Sequence, residues 1–481
     1  MWTPSAQEVH LFPRSSGRLY VRGRIYPGES VFQQQGHVTC ITRVNCTSGV
    51  TEGNLRRTMI IPAQGPLFNS FWQAGFECST HVLKNGKRLD LVSSTRHDVF
   101  AGEDYARIRS LGILTAREGL RWHLIEARPG HYDFSSAQAI LDAGRKHGVQ
   151  VVWDLLHFGW PARLDIFDPS WVDAFNAFAA AFGRWLRTEL QNNALVAPVN
   201  EISFLSWAGG DTAYLNPFAV DRGGELKRQL VRGAVKASAS LRAELPDVRL
   251  VSPEPVIHIV GDPKRPDDVI QAEQYRSAMF EAWDMLTGRA QPELGGNESF
   301  LDVIGLNYYD RNQWWNHGNT IRRHELEYRP FREIVAEVYH RYRRPLFISE
   351  TGTEDDDRPN WLAYIAEEVR GAIQNGIPVQ GICLYPILNH PGWDDDRHCY
   401  NGLWDYARPD GTRESYQPLA DEIRRLNPQG NNYANPSKLF ESVRPGVPLS
   451  PSLELCVPTP STLDEQICPH GAGLLCRGAL I

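Results

Sequence analysis

Eight short apolar runs in this chain end on polar residues of uncommon kinds. In chain order they deliver Glu77 or His81, Arg117 with Glu118, His157, Asn200 with Glu201, Glu254, Asn307 with Tyr309, Glu350, and Tyr385. Helix caps and tight turns would favour Asp, Ser and Gly in such places. Taken alone, Glu201 at the close of "ALVAPVNE" could be a strand end reaching water. A carboxylate raised out of water-avoiding residues must find partners or take up a proton, because burial penalises its charge. Two such carboxylates, Glu201 and Glu350, can divide labour between them. One serves as a protonated acid and the other as an anion, provided their surroundings hold the two protonation states apart.

The elements that would bring them together are short strands alternating with amphipathic helices. The strand candidates are "SFWQAGFE", "GILTAREG", "VQVVWDLLH", "ALVAPVNE", "VRLVSPEP", "FLDVIGLNYY", "RPLFISE" and "VQGICLYPI". Their near-continuous apolar character suits a parallel sheet covered on both faces. Trp171, Phe175, Phe178, Phe182 and Leu186 recur at helical spacing. "ELKRQLVRGAVKASASLRAEL", "AEQYRSAMFEAWDML", "PFREIVAEVYHRY" and "NWLAYIAEEVRGAIQNG" behave alike, the last stopping at Gly376. Eight β-then-α units predict a (β/α)8 TIM barrel over residues 67–428. A doubly wound open sheet is the rival, but no Gly-rich phosphate loop follows the first strand. In a barrel the strand ends share one mouth, and strands four and seven face each other across it. Paired carboxyls roughly 5 to 5.5 Å apart suit cleavage of a glycosidic bond with retention. Asn200 is then placed to bond a sugar hydroxyl, while Arg117 and Tyr309 can keep Glu350 ionised.

Composition narrows the partners. The chain has 481 residues, 42% hydrophobic and 22% charged, with a formal net charge of -7. That charge argues against a dedicated nucleic-acid binder. No apolar run reaches the roughly 18 residues a membrane span needs, and the N-terminus lacks the layout of a secretory signal, so a cytoplasmic location is expected. The eight cysteines form no C-x-x-C pair, and neither metal nor cofactor is expected. Residues 1–66, with seven Arg and no Lys, and the Pro/Ser-rich tail 429–481 read as irregular extensions. The runs "DDD" at 355–357 and 394–396 read as solvated loops.

Residues 68–427 resemble the family 1 glycoside hydrolases and the wider clan A of retaining (β/α)8 glycosidases. "VNEI" is similar to the acid/base motif and "FISETG" to the nucleophile motif. "DVIGLNYYD" resembles the sixth-strand segment whose second Tyr, here Tyr309, contacts the nucleophile. "LLHFGWP" resembles the segment carrying a sugar-binding His, here His157. "LYPILNHPGW" places Tyr385 at a platform Trp and Trp393 on a second Trp, and "NGLWDY" follows as in the family. The resemblance implies a retaining β-glycosidase with Glu201 as acid/base and Glu350 as nucleophile. The expected substrate-binding set is His81, His157, Asn200, Asn307, Tyr385 and Trp393. Ile202 replaces the Pro after the acid, Gly392 stands where the family has a sugar-holding glutamate, and Asn389-His390 replaces Asp-Asn. No Ser/Lys/Tyr phosphate set follows strand eight, so a 6-phospho sugar is not expected.

Other readings use the same residues. A non-catalytic carbohydrate-binding barrel would keep the cleft, and a transglycosidase would keep the machinery while excluding water. A metal-dependent enzyme would draw on His157, His258, Glu254 or Asp residues. The two prolines around Glu254 suggest a rigid loop residue, and Glu118 beside Arg117 suggests a local salt bridge. Trp314 and Trp315, just past strand six, read as loop aromatics able to stack on sugar rings.

Overall fold

The computed structural model describes residues 66–189 and 194–428. Both terminal extensions, but for residue 66, lie outside the described residues, as do five of the eight cysteines. Cys78, Cys383 and Cys399 are buried free thiols.

All eight expected strands form, and they close into a barrel in chain order. They are β1 (Trp72–Gly75), β2 (Thr115–Gly119), β3 (Gln150–Leu156), β4 (Leu195–Val199), β5 (Arg249–Pro255), β6 (Val303–Asn307), β7 (Leu346–Thr351) and β8 (Val379–Leu384). Every neighbouring pair is parallel, and β8 closes on β1 with Trp72 opposite Ile382. The larger helices are α1 (His97–Ser110), α2 (Ser135–His147), α3 (Ser170–Glu189), α4 (Gly223–Glu244), α5 (Pro266–Ser277), α6 (Phe331–Tyr342), α7 (Arg358–Gln374) and α8 (Gln417–Leu426). One departs from the expected continuity. "AEQYRSAMFEAWDML" breaks after Ser277 into a 3-10 turn and a short helix Glu281–Leu286, because Met279 and Phe280 turn into the core.

The apolar stripe of α3 packs as its spacing requires. Trp171, Phe175, Phe178, Phe182 and Leu186 are all buried, and Phe178 stacks on Trp122 with centroids 5.0 Å apart. Full burial of each such side chain contributes roughly 1.5–3 kcal/mol. α4 approaches closely at Gly233, where a Cβ would lie 2.7 Å from the Trp171 ring.

Inside the barrel the two-residue period separates two layers. Val152, Leu195, Ala197, Val251, Val303 and Phe347 form an apolar floor, closed by Phe68, whose ring lies 4.8 Å from that of Phe347. Two residues past Val152 comes Asp154; two past Phe347 comes Ser349; four past Val303 comes Asn307. The polar layer therefore stands on the floor, toward the strand ends.

Glu118 faces outward and does not pair with Arg117. It accepts hydrogen bonds from Tyr105 (2.8 Å) and from His97 Nε2 (3.0 Å), both on α1. His97 Nδ1 reaches Asp104 at 2.8 Å, and Arg413, from the segment before α8, bonds Asp104 through Nε and Nη2. Burial opposes charge on His97, but Glu118 and Asp104 prevail and raise it from 6.5 to about 9.

The buried imidazolium gives a pH test. Because the folded value is raised, its stabilisation is complete below pH 6.5 and is lost as pH rises through about 9. Urea unfolding between pH 6 and pH 10 should show an alkaline loss on the order of 3 kcal/mol. A His97→Gln variant should be less stable at pH 6 and lack that slope.

Candidate active site

Glu201 is the first residue past the Asn that follows β4, and it sits in the left-handed region at φ 49°, where a non-glycine residue is strained. Its backbone N–H donates to Pro253 O at 3.0 Å, and its carbonyl accepts from Leu205 N–H at 3.0 Å. The short helix Ile202–Leu205 starts at once, and its first amides are held by Glu254. Ile202 N–H and Ser203 N–H donate to the two Glu254 oxygens at 2.7 and 3.0 Å. A proline at 202 would have no N–H to give. Glu254 is thus a fully buried residue of β5 that clamps the turn, not the loop residue its flanking prolines suggested. Burial pushes its carboxyl up to about 7 against the pull of those two amides.

Glu350 lies on β7, in register with Asn307 on β6 across a local register shift. Arg117 Nη1 donates to its Oε1 at 2.7 Å, and the Tyr309 hydroxyl donates to its Oε2 at 2.8 Å. Asn307 Nδ2 donates to Glu201 Oε1 at 2.8 Å, and Ser349 fixes the other end of that amide by donating to Asn307 Oδ1. The two glutamates are therefore served from adjacent positions of one polar layer. Their electrostatics differ. Glu201 is raised well above its ordinary value by burial and then by the Glu350 charge, opposed by the Asn307 amide and more weakly by His157. Burial raises Glu350 too and leaves it above its ordinary value, but there the adjoining Arg117 guanidinium pulls the other way, helped by His157 and the Tyr309 hydroxyl. A cation at contact distance favours the charged form, so of the two carboxyls Glu350 is the one whose surroundings oppose the upward shift.

Arg117 is fully buried and feeds several strands at once. Its Nε and Nη2 fork onto Asp154 at 3.1 and 2.7 Å, and Nη2 also bonds Asn200 Oδ1 at 2.7 Å. With Oδ1 so engaged, Asn200 Nδ2 turns to His157 Nε2 at 3.1 Å. Nδ1 of His157 then faces Asp154 at 3.2 Å and Cys78 Sγ at 3.1 Å. Burial pushes the Cys78 thiol up, so it meets the ring uncharged at neutral pH. Cys78, Asp154 and His157 are close enough to share a metal ion. Both Asp154 oxygens already accept from Arg117, so an ion there would share them with the guanidinium and sit against its positive charge.

Of the expected substrate-binding residues, Asn200 and Asn307 face the two glutamates through this network, and neither is exposed. His157 and Tyr385 stand side by side, their rings stacked 6.1 Å apart, and Tyr385 also lies 5.3 Å from the Arg117 guanidinium. His81 is fully buried and spends both ring nitrogens on the protein. Its Nε2 lies 3.2 Å from Trp393 O, which can only accept, so Nδ1 takes the Ser79 hydroxyl hydrogen at 2.6 Å. Burial lowers His81 to about 4, which keeps it neutral. It holds the backbone of Trp393, whose ring packs against Phe158 and Phe204 and whose indole N–H has no partner among the described residues. Trp314 and Trp315 are not loop aromatics. They belong to a short strand, Gln313–Trp315, paired with His258–Val260, and Trp314 packs edge-on to Tyr275. Asp154, absent from the expected set, is the missed member. A charged residue within "VQVVWDLLH", two past the inward Val152, was the available signal.

No protein-family model and no curated protein sequence matches the chain. Solved structures do. A family 1 β-glucosidase from Thermotoga maritima superposes with a TM-score of 0.61 at 15% identity, covering 75% of this chain and 97% of that one. A β-glucosidase from the same organism in complex with glucoimidazole gives 0.63 at 15% identity, covering 76% and 98%. One in complex with deoxynojirimycin gives 0.62 at 14%, covering 75% and 98%. At these identities the likeness carries the fold: a (β/α)8 barrel spanning nearly the whole of each neighbour.

The clamp on the turn is open to measurement. Glu254→Ala leaves one buried and one part-buried amide without an acceptor and should cost roughly 2–4 kcal/mol in urea unfolding. Glu254→Gln keeps one acceptor oxygen and should lose clearly less.

Proposed function

We propose that this chain is a retaining β-glycosidase that cleaves a β-linked glycoside through a covalent glycosyl-enzyme on Glu350. One observation carries the reading: two carboxyls at one barrel mouth have opposite surroundings, Glu350 pinned by Arg117 and Tyr309, Glu201 touched by a neutral amide. The neighbours of like fold are named as β-glucosidases, and two are in complex with glucoimidazole and deoxynojirimycin, which supports a sugar-sized ligand at this mouth.

In the first step Glu201 gives its proton to the glycosidic oxygen while Glu350 attacks the anomeric carbon. The bond to the leaving group breaks, and an ester forms between sugar and Glu350. Arg117 stabilises the attacking carboxylate before it bonds, and the Tyr309 hydroxyl aims it. In the second step Glu201, now an anion, takes a proton from water as the water oxygen attacks the same carbon. Glu350 leaves as a carboxylate, and the two inversions sum to retention. No external redox partner or cofactor enters this balance.

Turnover of aryl β-glycosides by Glu350→Ala should fall by about 10^4-fold or more. Azide should restore it, giving a glycosyl azide of inverted configuration; failure to rescue would move the nucleophile elsewhere. Glu201→Ala should spare substrates with very good leaving groups and cripple those with poor ones. In wild type the alkaline limb of kcat/KM should lie well above the ordinary carboxylate range, since burial and the Glu350 charge raise Glu201. Glu201→Gln should abolish that limb.

A further inference from the structure

Glu201 and the amide that bonds it hang from the same three residues of β5. Glu201 N–H donates to Pro253 O at 3.0 Å, and the next two amides, of Ile202 and Ser203, donate to the Glu254 carboxylate at 2.7 and 3.0 Å. Pro255 stands opposite Asn307 in the ladder between β5 and β6, and Val256 N–H donates to Asn307 O at 3.1 Å. Asn307 Nδ2 then reaches Glu201 Oε1 at 2.8 Å. The separation of Glu201 from Asn307 is therefore set across Pro253–Pro255. Of those three side chains only that of Glu254, fully buried, can accept from the turn.

The strand ladders stop before that turn. β4 pairs with β5 at Leu195 opposite Arg249 and Val196 opposite Leu250, well short of Glu201. On the other side its register with β3 ends at Val199, followed by Asn200 N–H on Leu156 O at 2.9 Å. The helix Ile202–Leu205 is a single turn, too short to sustain itself in water. Glu201 meanwhile holds φ at 49°, a left-handed conformation that an L residue leaves when released. Relaxation to negative φ would re-aim its carboxyl, and Asn307, whose Oδ1 is fixed by Ser349, would not follow. A proton donor must lie within hydrogen-bond reach of the departing oxygen, and a misplacement of about 1 Å can cost on the order of 100-fold in rate.

We propose that Glu254 is the positioning residue of the acid: by accepting the Ile202 and Ser203 amides it holds the Glu201 carboxyl at Asn307, aimed at the glycosidic oxygen. This rests on the glycosidase reading given above and deepens it. The test measures kcat/KM of wild type, Glu254→Gln and Glu254→Asp on β-glycosides of one sugar, with leaving groups from 2,4-dinitrophenol to methanol. That ratio reports the first step, in which Glu201 is the acid. Gln keeps one acceptor oxygen but sets its NH2 against the second amide, donor facing donor. Rates are read on the pH plateau of each protein. Glu350, Glu254 and His157 all bear on Glu201, and Lys227 bears on Glu254, so removing one charge moves a limb without moving the carboxyl.

Expected for Glu254→Gln is a fall of about tenfold or more with the methyl glycoside. With the dinitrophenyl glycoside, which needs little protonation, the fall should be less than about threefold. Glu254→Asp, ionised and with two acceptor oxygens, should recover part of the loss, and it carries the comparison if the Gln protein does not fold. Equal losses across the series, as a general structural defect would give, or no loss at all, overturn the proposal. Crystal structures of the same variants supply a readout independent of turnover: the Glu201 carboxyl should leave hydrogen-bond reach of Asn307. A chain that turns over no glycoside sinks the catalytic reading, and those structures then decide on Glu254. A Glu201 carboxyl still bonded to Asn307 Nδ2, with its turn unchanged, overturns the proposal.

Discussion

A single buried cation organises this barrel. Arg117 sits in the polar layer with no exposure and donates to Asp154, Asn200, Ser349 O and Glu350, bonds that reach β3, the end of β4 and β7. Removing a guanidinium from water is costly, and one partner alone would not offset that cost. Two carboxylates and two amide-type oxygens do. The arrangement also accounts for the asymmetry between the glutamates: Arg117 reaches Glu350 and stops short of Glu201, so the upward pull of burial meets a cation at contact distance on one of them and not on the other.

Backbone and side chains cooperate in holding Glu201. The chain leaves β4 in a left-handed turn and immediately starts a short helix whose first amides need an acceptor. Glu254 supplies it from the neighbouring strand. A carboxylate buried at full depth thus acts as a clamp on another carboxylate's backbone, and the strain at Glu201 is carried by β5 and not by the turn itself. On the other side of the mouth, His81 plays a comparable part for Trp393 by donating to its carbonyl.

The strands were legible because their period and apolar runs report burial on both faces, and all eight form where the pattern places them. That Glu201, Glu350, Arg117 and Tyr309 would converge was legible for a related reason: strand ends in a barrel meet, so polar residues there share a space. Three features escaped that logic. Asp154 hid inside an apolar run, where period alone marks the inward face without saying what partner a charge will find. Glu254 looked like a loop residue because prolines flank it, yet Pro253 offers a carbonyl to Glu201 N–H and still sits within the parallel ladder. Beyond β1 the chain is irregular, and no periodicity separates Glu77, beside His157, from His81, held against the Trp393 backbone.

The polar layer has one further implication, for how such a chain could change over generations. Asp154, Arg117, Asn200, Asn307 and Ser349 come from or directly follow five different strands, and each satisfies at least one of the others. Exchanging any one strands a neighbour's donor or acceptor in a place water does not reach, so an improved set is separated from the present one by crippled single steps. The rim can wander freely while this lattice stays put, as an inheritance altered only in concerted moves.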